Sequence, residues 1–230
     1  MIDFHRHIHL PFPTNPSFTY WYATSRVSEY ALYEGENHHY HGYGYLYEEE
    51  EPTIESIIEK HLIQDSLGYI GEVGIDTHFS HILSLEKQLE VVYSLTKIAI
   101  SYSRPIVFHI TSSLELMDDI FKVGKDRVTM IIHHFTGSVE TAHQLYKKGV
   151  YVSLGPRVWQ KEMNLSKRMD ELNIPILLET DYTGNIEIQY KKLIKNHYRW
   201  YEREKDIEHN TLVEKMHELS SVFQSHPIIR

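Results

Sequence analysis

Cysteine is absent from the chain, which rules out disulfides and thiolate ligands and leaves only nitrogen and oxygen to hold a metal. No apolar run approaches the roughly 20 residues that span a bilayer. The opening Met1-Ile-Asp-Phe-His has neither the basic nor the apolar region of a signal peptide, so a soluble, cytoplasmic protein without membrane partners is expected. Positive charge is scarce: 23 Lys and Arg stand against 32 Asp and Glu, for a net charge of −9. That balance argues against broad clamping of duplex nucleic acid, though it leaves a local basic patch open. The 8 prolines and 11 glycines form no linker-like tract. With 41% apolar residues, the 230-residue chain reads as one domain over 1–230, near the size at which β/α barrels begin.

What the chain has in excess is histidine, 17 in all. The first nine residues, Met1-Ile-Asp-Phe-His-Arg-His-Ile-His9, alternate as a strand would, with Asp3, His5, His7 and His9 on one face. Neutral imidazoles at i and i+2 can share one ion, although a solvated histidine run would look the same in isolation.

Prolines 11, 13 and 16 keep the next stretch out of helix, and residues 8–24 read as loop. Strands are expected at 26–33 and at the aromatic 40–47. The acidic run 48–51 reads as a solvated turn before a helix over 53–66. From there the alternation is regular, with strands at 68–76, 105–110, 128–133, 149–154 and 174–179. Helices are expected at 82–102, 113–124, 138–148, 160–172, 186–204 and 207–224. The clearest is 82–102, where Ile82, Leu85, Leu89, Val92, Leu95, Ile98, Ala99 and Tyr102 recur mostly every three or four residues. Eight strands alternating with helices predict a TIM-type (β/α)8 barrel, shortened in its first βα units. An open doubly wound sheet is the competing arrangement.

Each well-defined strand ends in a possible ligand: His5 and His7, Glu72, His109, His133, and Asp181 just beyond Glu179. A barrel gathers the carboxyl ends of its strands on one face, so these residues would converge there. Any one of them alone could be a hydrogen-bonded core residue. Together, four imidazoles and two carboxylates suit one or two divalent ions such as zinc, manganese or magnesium.

The same positions carry a family resemblance. Asp3-Phe-His-Arg-His7 resembles the DxHxH opening of the TatD family of metal-dependent hydrolases and DNases, in the amidohydrolase superfamily. Ile70-Gly-Glu-Val-Gly-Ile-Asp76 resembles its IGExGLD segment, and Ser84-Leu-Glu-Lys-Gln-Leu89 its helix with a glutamine. The series continues through 105–109, His133-His-Phe-Thr-Gly137 and Glu179-Thr-Asp181. The resemblance implies that His5, His7 and Asp181 hold one ion, that Glu72 bridges, and that His109 and His133 hold a second. It further implies that Asp181 takes a proton from a metal-activated water, with Asp181 and Glu72 as the catalytic carboxylates of a phosphodiesterase.

There are departures. His109 is followed by Ile110-Thr-Ser-Ser113 where the family carries arginine and aspartate. The GxHP element is Gly44-Tyr-Leu-Tyr47, Asp181 precedes Tyr182-Thr183 rather than Ala-Pro, and His134 replaces a cysteine. Substrate contacts are therefore sought elsewhere. Arg157, Trp159 and Lys161 follow the seventh strand, where barrels often bind phosphate. Lys191, Lys195, Arg199 and Arg203 form a basic row on a late helix that reads as a solvated face. DNA ends or short single strands are the expected substrate. A small-molecule C–N or ester hydrolase and a catalytically silent barrel subunit are the alternatives.

Overall fold

The computed structural model describes residues 1–7, 18–33, 39–48, 51–184 and 186–224. Its eight strands are β1 (Ile2–His7), β2 (Thr19–Ala23), β3 (Tyr40–Tyr45), β4 (Gly68–Ile75), β5 (Ile106–Ile110), β6 (Met130–Ile132), β7 (Val150–Leu154) and β8 (Ile176–Leu178). All are parallel, and each pairs with the next in chain order. The ring closes just past β8, where Asp181 N–H donates to His5 O (2.9 Å) and His7 N–H to Tyr182 O (3.2 Å). Around the strands lie α1 (Ile54–Gln64), α2 (Leu85–Tyr102), α3 (Asp118–Gly124), α4 (Val139–Lys147), α5 (Asn164–Lys167), α6 (Glu187–Lys205) and α7 (His209–Gln224). This is the (β/α)8 barrel expected from the strand and helix alternation. Among the described residues no helix is long and apolar enough to cross a membrane.

The local chemistry explains the elements. All of β4 is buried, as parallel strands covered on both faces must be. Ser84 caps α2 by accepting from Lys87 N–H, and the helix ends at Ser103 in the left-handed region (φ 52°). Val92, Leu95 and Ala99 of α2 are fully buried, and burial of a Val or Leu side chain stabilises by roughly 1.5–3 kcal/mol. Gln88 is buried among them, with Oε1 accepting from Asp76 N–H (2.8 Å) and Nε2 donating to Asp76 O (3.1 Å). That side chain fixes the end of β4 beside the site.

Four expectations need correction. The strand expected at 26–33 is a 3-10 helix, Val27–Tyr33. Glu29 starts it by accepting from Ser25 N–H (2.8 Å) and Arg26 N–H (3.2 Å), and Tyr30 and Tyr33, three apart, turn the same way. Their hydroxyls donate to Gly44 O (2.7 Å) and Gly42 O (3.0 Å). The second strand is instead Thr19–Ala23, inside the stretch read as loop. Its β-branched and aromatic run is a strand signal that the preceding prolines obscure. The helix expected over 160–172 is reduced to α5, flanked by 3-10 turns Pro156–Trp159 and Met169–Glu171. Leu165, Met169 and Leu172 still face the core, but the chain leaves helical geometry at Arg168 (φ −133°). The helix expected from 113 also opens as a 3-10 turn, Leu114–Met117. As expected, the first units are short: among the described residues, only the 3-10 turn lies between β2 and β3.

Candidate metal centre

The register of β1 shifts between Asp3 and Arg6, which breaks strict alternation and separates Asp3 from His5 and His7. The Asp3 carboxylate accepts from Thr180 N–H (2.9 Å) and Thr180 Oγ1 (2.6 Å), so it clamps β1 to the segment after β8 instead of joining the histidines. Burial pushes its pKa up to about 7, against the Thr180 bonds and the Arg6 charge, which pull it down. His9 lies outside the described residues.

The other strand-end donors converge. Glu72 is at the centre: Oε2 lies 3.0 Å from His133 Nε2, 3.3 Å from His109 Nδ1 and 3.8 Å from His5 Nε2. Oε1 lies 3.3 Å from His7 Nε2. Asp181 Oδ1 faces His7 Nε2 at 3.5 Å and His5 Nε2 at 3.8 Å. Two close approaches of backbone bring Glu72 here. A Cβ on Gly44 would lie 1.8 Å from Thr24 O and 2.3 Å from Glu72 N, and one on Gly74 would lie 1.7 Å from His109 O. Only glycine lets β3 and β5 crowd β4 this way.

The donor set fits divalent ions. Two groups, His5 with Glu72 and His133, and His5 with His7 and Asp181, each place their ligand atoms within 4.8 Å of one another. Ligands at 2.0–2.1 Å from a tetrahedral ion lie about 3.3–3.4 Å apart, close to the spacings found between these atoms. Both ring nitrogens of the fully buried His5 make no hydrogen bond, and such atoms call for a partner. Burial and the neighbouring His133 charge lower the His5 pKa to about 4, so its ring is neutral at physiological pH, the state in which an imidazole can bind a metal. Burial alone would raise Glu72, yet contacts with His109 and His133 hold it well below the usual carboxylate range. Asp181 is lowered likewise, its burial outweighed by His134 and His7. Glu179 and Glu72 draw a proton onto His133, and Asp181 and Glu72 draw one onto His7, despite the burial of both rings. A cation would meet the same demand.

Supporting residues orient the imidazoles. Asp76 Oδ2 lies 3.5 Å from His109 Nε2, while Asp76 Oδ1 accepts from His78 N–H (2.8 Å) and Thr111 Oγ1 (3.0 Å). Thr111 thus has a task in the segment that departs from the family pattern. Glu179 Oε1 sits 3.7 Å from His133 Nδ1 and accepts from His134 N–H at 2.8 Å, and Ser153 donates to Glu179 Oε2. A carboxylate behind each imidazole is the usual outer layer of a metal site. The residue that strand-end reasoning passed over is His134, whose Nδ1 lies 3.0 Å from Asp181 Oδ2. His134 (φ 50°) and Asp181 (φ 49°) are both left-handed, a costly backbone for non-glycine residues. The signal was the doubled His133-His134 at a strand end.

The three residues proposed to read substrate are not in this cluster. Trp159 and Lys161 line a separate cleft against α6, and Arg157 is exposed on the turn between β7 and α5.

Fold and site together define a class: a β/α-barrel hydrolase with an imidazole and carboxylate donor set at the carboxyl ends of its strands, where barrel enzymes act. The family model described as TatD related DNase matches residues 28–224, and the chain belongs to that family. Among solved structures it is similar to YjjV, a TatD homologue from Escherichia coli K12, at 17% identity and a TM-score of 0.75, over 97% of this chain and 96% of that one. It is also similar to a TatD family hydrolase from Entamoeba histolytica, at 16% identity and a TM-score of 0.67, over 91% and 85% of the two chains. No curated protein sequence matches at a significant level.

Proposed function

We propose that this chain is a divalent-metal-dependent phosphodiesterase, a deoxyribonuclease acting on DNA ends or short single strands. The observation that carries the reading is the convergence of His5, His7, Glu72, His109, His133 and Asp181 at one end of the barrel. His5, His7 and Asp181 would hold one ion and His109 and His133 another, with Glu72 between them. Divalent ions held there would lower the pKa of water and polarise phosphoryl oxygens.

The division of labour between the carboxylates follows from exposure. The Glu72 side chain is 4% exposed and surrounded by imidazoles, whereas that of Asp181 is 27% exposed. Asp181 is therefore the carboxylate that meets water and substrate. His134 engages Oδ2 and Oδ1 faces His5 and His7, so Asp181 would accept the proton of the attacking water at the exposed edge of the donor set. The surrounding imidazoles keep Asp181 ionised at neutral pH, so the acceptor is in the correct state before substrate arrives.

The test pairs metal content of the purified protein with cleavage of an end-labelled single-stranded oligodeoxynucleotide in added manganese or magnesium. One to two ions per chain and metal-dependent release of nucleotides are expected. Bound metal without cleavage of any phosphodiester would overturn the nuclease reading in favour of a small-molecule C–N or ester hydrolase.

A further inference from the structure

Two cationic features of the sequence play no part in the metal centre: the loop after β7 and the basic row of α6. In the structure they meet. Trp159, Lys161 and Lys167 on one wall and Arg199, Trp200 and Arg203 on the other line a cleft of about 760 Å3. Four cations there face a single carboxylate, Glu204, on a chain whose net charge is −9. Elsewhere several cations are paired with a carboxylate close by, as in Lys87–Glu90, Lys122–Asp119, Lys148–Asp118 and Lys191–Glu187. In the cleft, Arg203 approaches Glu204 only at 3.4 Å, and the described residues give Lys161, Lys167 and Arg199 no carboxylate within ion-pair distance.

His197 fastens the two walls. It is buried on α6, with Nε2 donating to Leu154 O (2.6 Å) and Nδ1 accepting from the Trp159 indole N–H (2.8 Å). Its ring lies parallel to Trp200, with centroids 5.9 Å apart. Trp159 is thereby held half-buried at the cleft's edge. Leu154 is the last residue of β7, and the next residue, Gly155, touches the metal centre: a Cβ there would lie 3.0 Å from His134 Nδ1. Through His197, Trp159 at the edge of the cleft is thus tied to Leu154, the neighbour of Gly155.

We propose that this cleft is a binding track for single-stranded nucleic acid, with phosphates on Lys161, Lys167, Arg199 and Arg203 and a base stacked on Trp159. The assignment rests on the phosphodiesterase reading for what lies at the end of the track. Cations with an aromatic platform are the combination that holds unpaired strands, whose base faces are free to stack. Arg199 and Arg203 stand about one helical turn apart, roughly 6 Å along the axis, which suits successive phosphates of an extended strand.

The test is fluorescence anisotropy of a nuclease-resistant phosphorothioate thymidine 12-mer, titrated with the metal-loaded protein over a range of salt. R199A/R203A should weaken binding about tenfold or more and reduce the slope of log K against log salt by about 1.4, the share of two phosphate contacts on a single strand. A control removing two exposed cations far from the cleft, K60A/K122A, should leave affinity and slope as in wild type. Unchanged binding in R199A/R203A, equal losses in the control, or no binding by wild type would each overturn the proposal. Cleavage is read separately. Binding that depends on Arg199 and Arg203 in a protein that cuts no phosphodiester would keep the track and sink the nuclease reading. Cleavage with unchanged binding would do the reverse.

Discussion

The backbone N–H of Asp181 donates to the carbonyl of His5 at 2.9 Å, while the side chains of the same two residues bring His5 Nε2 within 3.8 Å of Asp181 Oδ1. The contact that closes the barrel is thus also the contact that assembles half of the donor set. Asp3 reinforces it from the other side of β1 by holding Thr180. The site forms only when the first strand and the segment after the eighth have met, so its assembly is coupled to folding of the barrel as a whole.

Asp181→Asn separates these two duties. The backbone hydrogen bond survives, whereas the charge facing His7 and His134 is lost. Hydrolysis should fall by about 10²–10⁴-fold, the usual range for removing a positioned proton acceptor. Circular dichroism should report an intact fold. An Asn variant that turns over at the wild-type rate would remove Asp181 from the mechanism.

Removing metal should cost stability, because ions that bind only the folded cluster stabilise it by mass action. Dialysis against a chelator should lower Tm, and restoring metal to 100 times its Kd should return about 2.7 kcal/mol. Glu72→Gln should lower elemental metal content by at least one ion per chain, since Glu72 lies among four imidazoles. Full occupancy in that variant would contradict a bridging role.

How far the sequence alone reached depended on which residues carried local information. Strand-end ligands were legible because a parallel barrel gathers strand ends regardless of what the intervening helices do, so errors at 26–33 and 160–172 left the donor set untouched. The second strand was misplaced because Tyr-rich segments suit strand and 3-10 turn alike, and Glu29 decided the matter through capping bonds that propensity does not show. The place of Asp3 was lost because a single register shift in β1 undoes the alternation argument. His134 and His197 act through partners 47 and 38 residues away or more, Asp181 and Trp159; the doubled histidine marks His134 as a candidate, but the identity of either partner is not written locally.

Gly44→Ala tests the crowding that seats Glu72. The new methyl would stand 1.8 Å from Thr24 O, a backbone atom that cannot rotate away. Destabilisation of about 3 kcal/mol or more is expected, at the upper end for overpacking, measured by urea unfolding. A neutral substitution would mean that β3 can move off β4 at little cost.

His134→Ala leaves every proposed metal ligand in place and removes the partner of Asp181 Oδ2. Residues that orient a ligand are typically worth 10–100-fold in metal affinity or activity. The expected result is a loss in kcat of about that size with most of the metal retained. A variant indistinguishable from wild type would show that Asp181 is oriented by His7 and the backbone alone.

The pH dependence of stability should carry the signature of His197. Burial lowers its pKa to about 4, with the bond to Leu154 O opposing that shift, while the unfolded chain titrates near 6.5. The ring must be neutral to accept from Trp159 at Nδ1 while donating from Nε2, so protonation breaks the tie between the β7 loop and α6. Because the native pKa is the lower one, this contribution is complete above pH 6.5 and is lost as pH falls towards 4, where the unfolded chain takes up a proton that the folded one refuses. The loss amounts to about 3 kcal/mol by pH 4, with a slope of about 1.4 kcal/mol per pH unit in between. His197→Gln keeps a donor and an acceptor but cannot titrate. Subtracting its urea-unfolding free energies from those of wild type between pH 7 and 4 isolates the term from the metal-centre histidines, and parallel curves would mean that His197 titrates in the folded protein as it does in the unfolded chain.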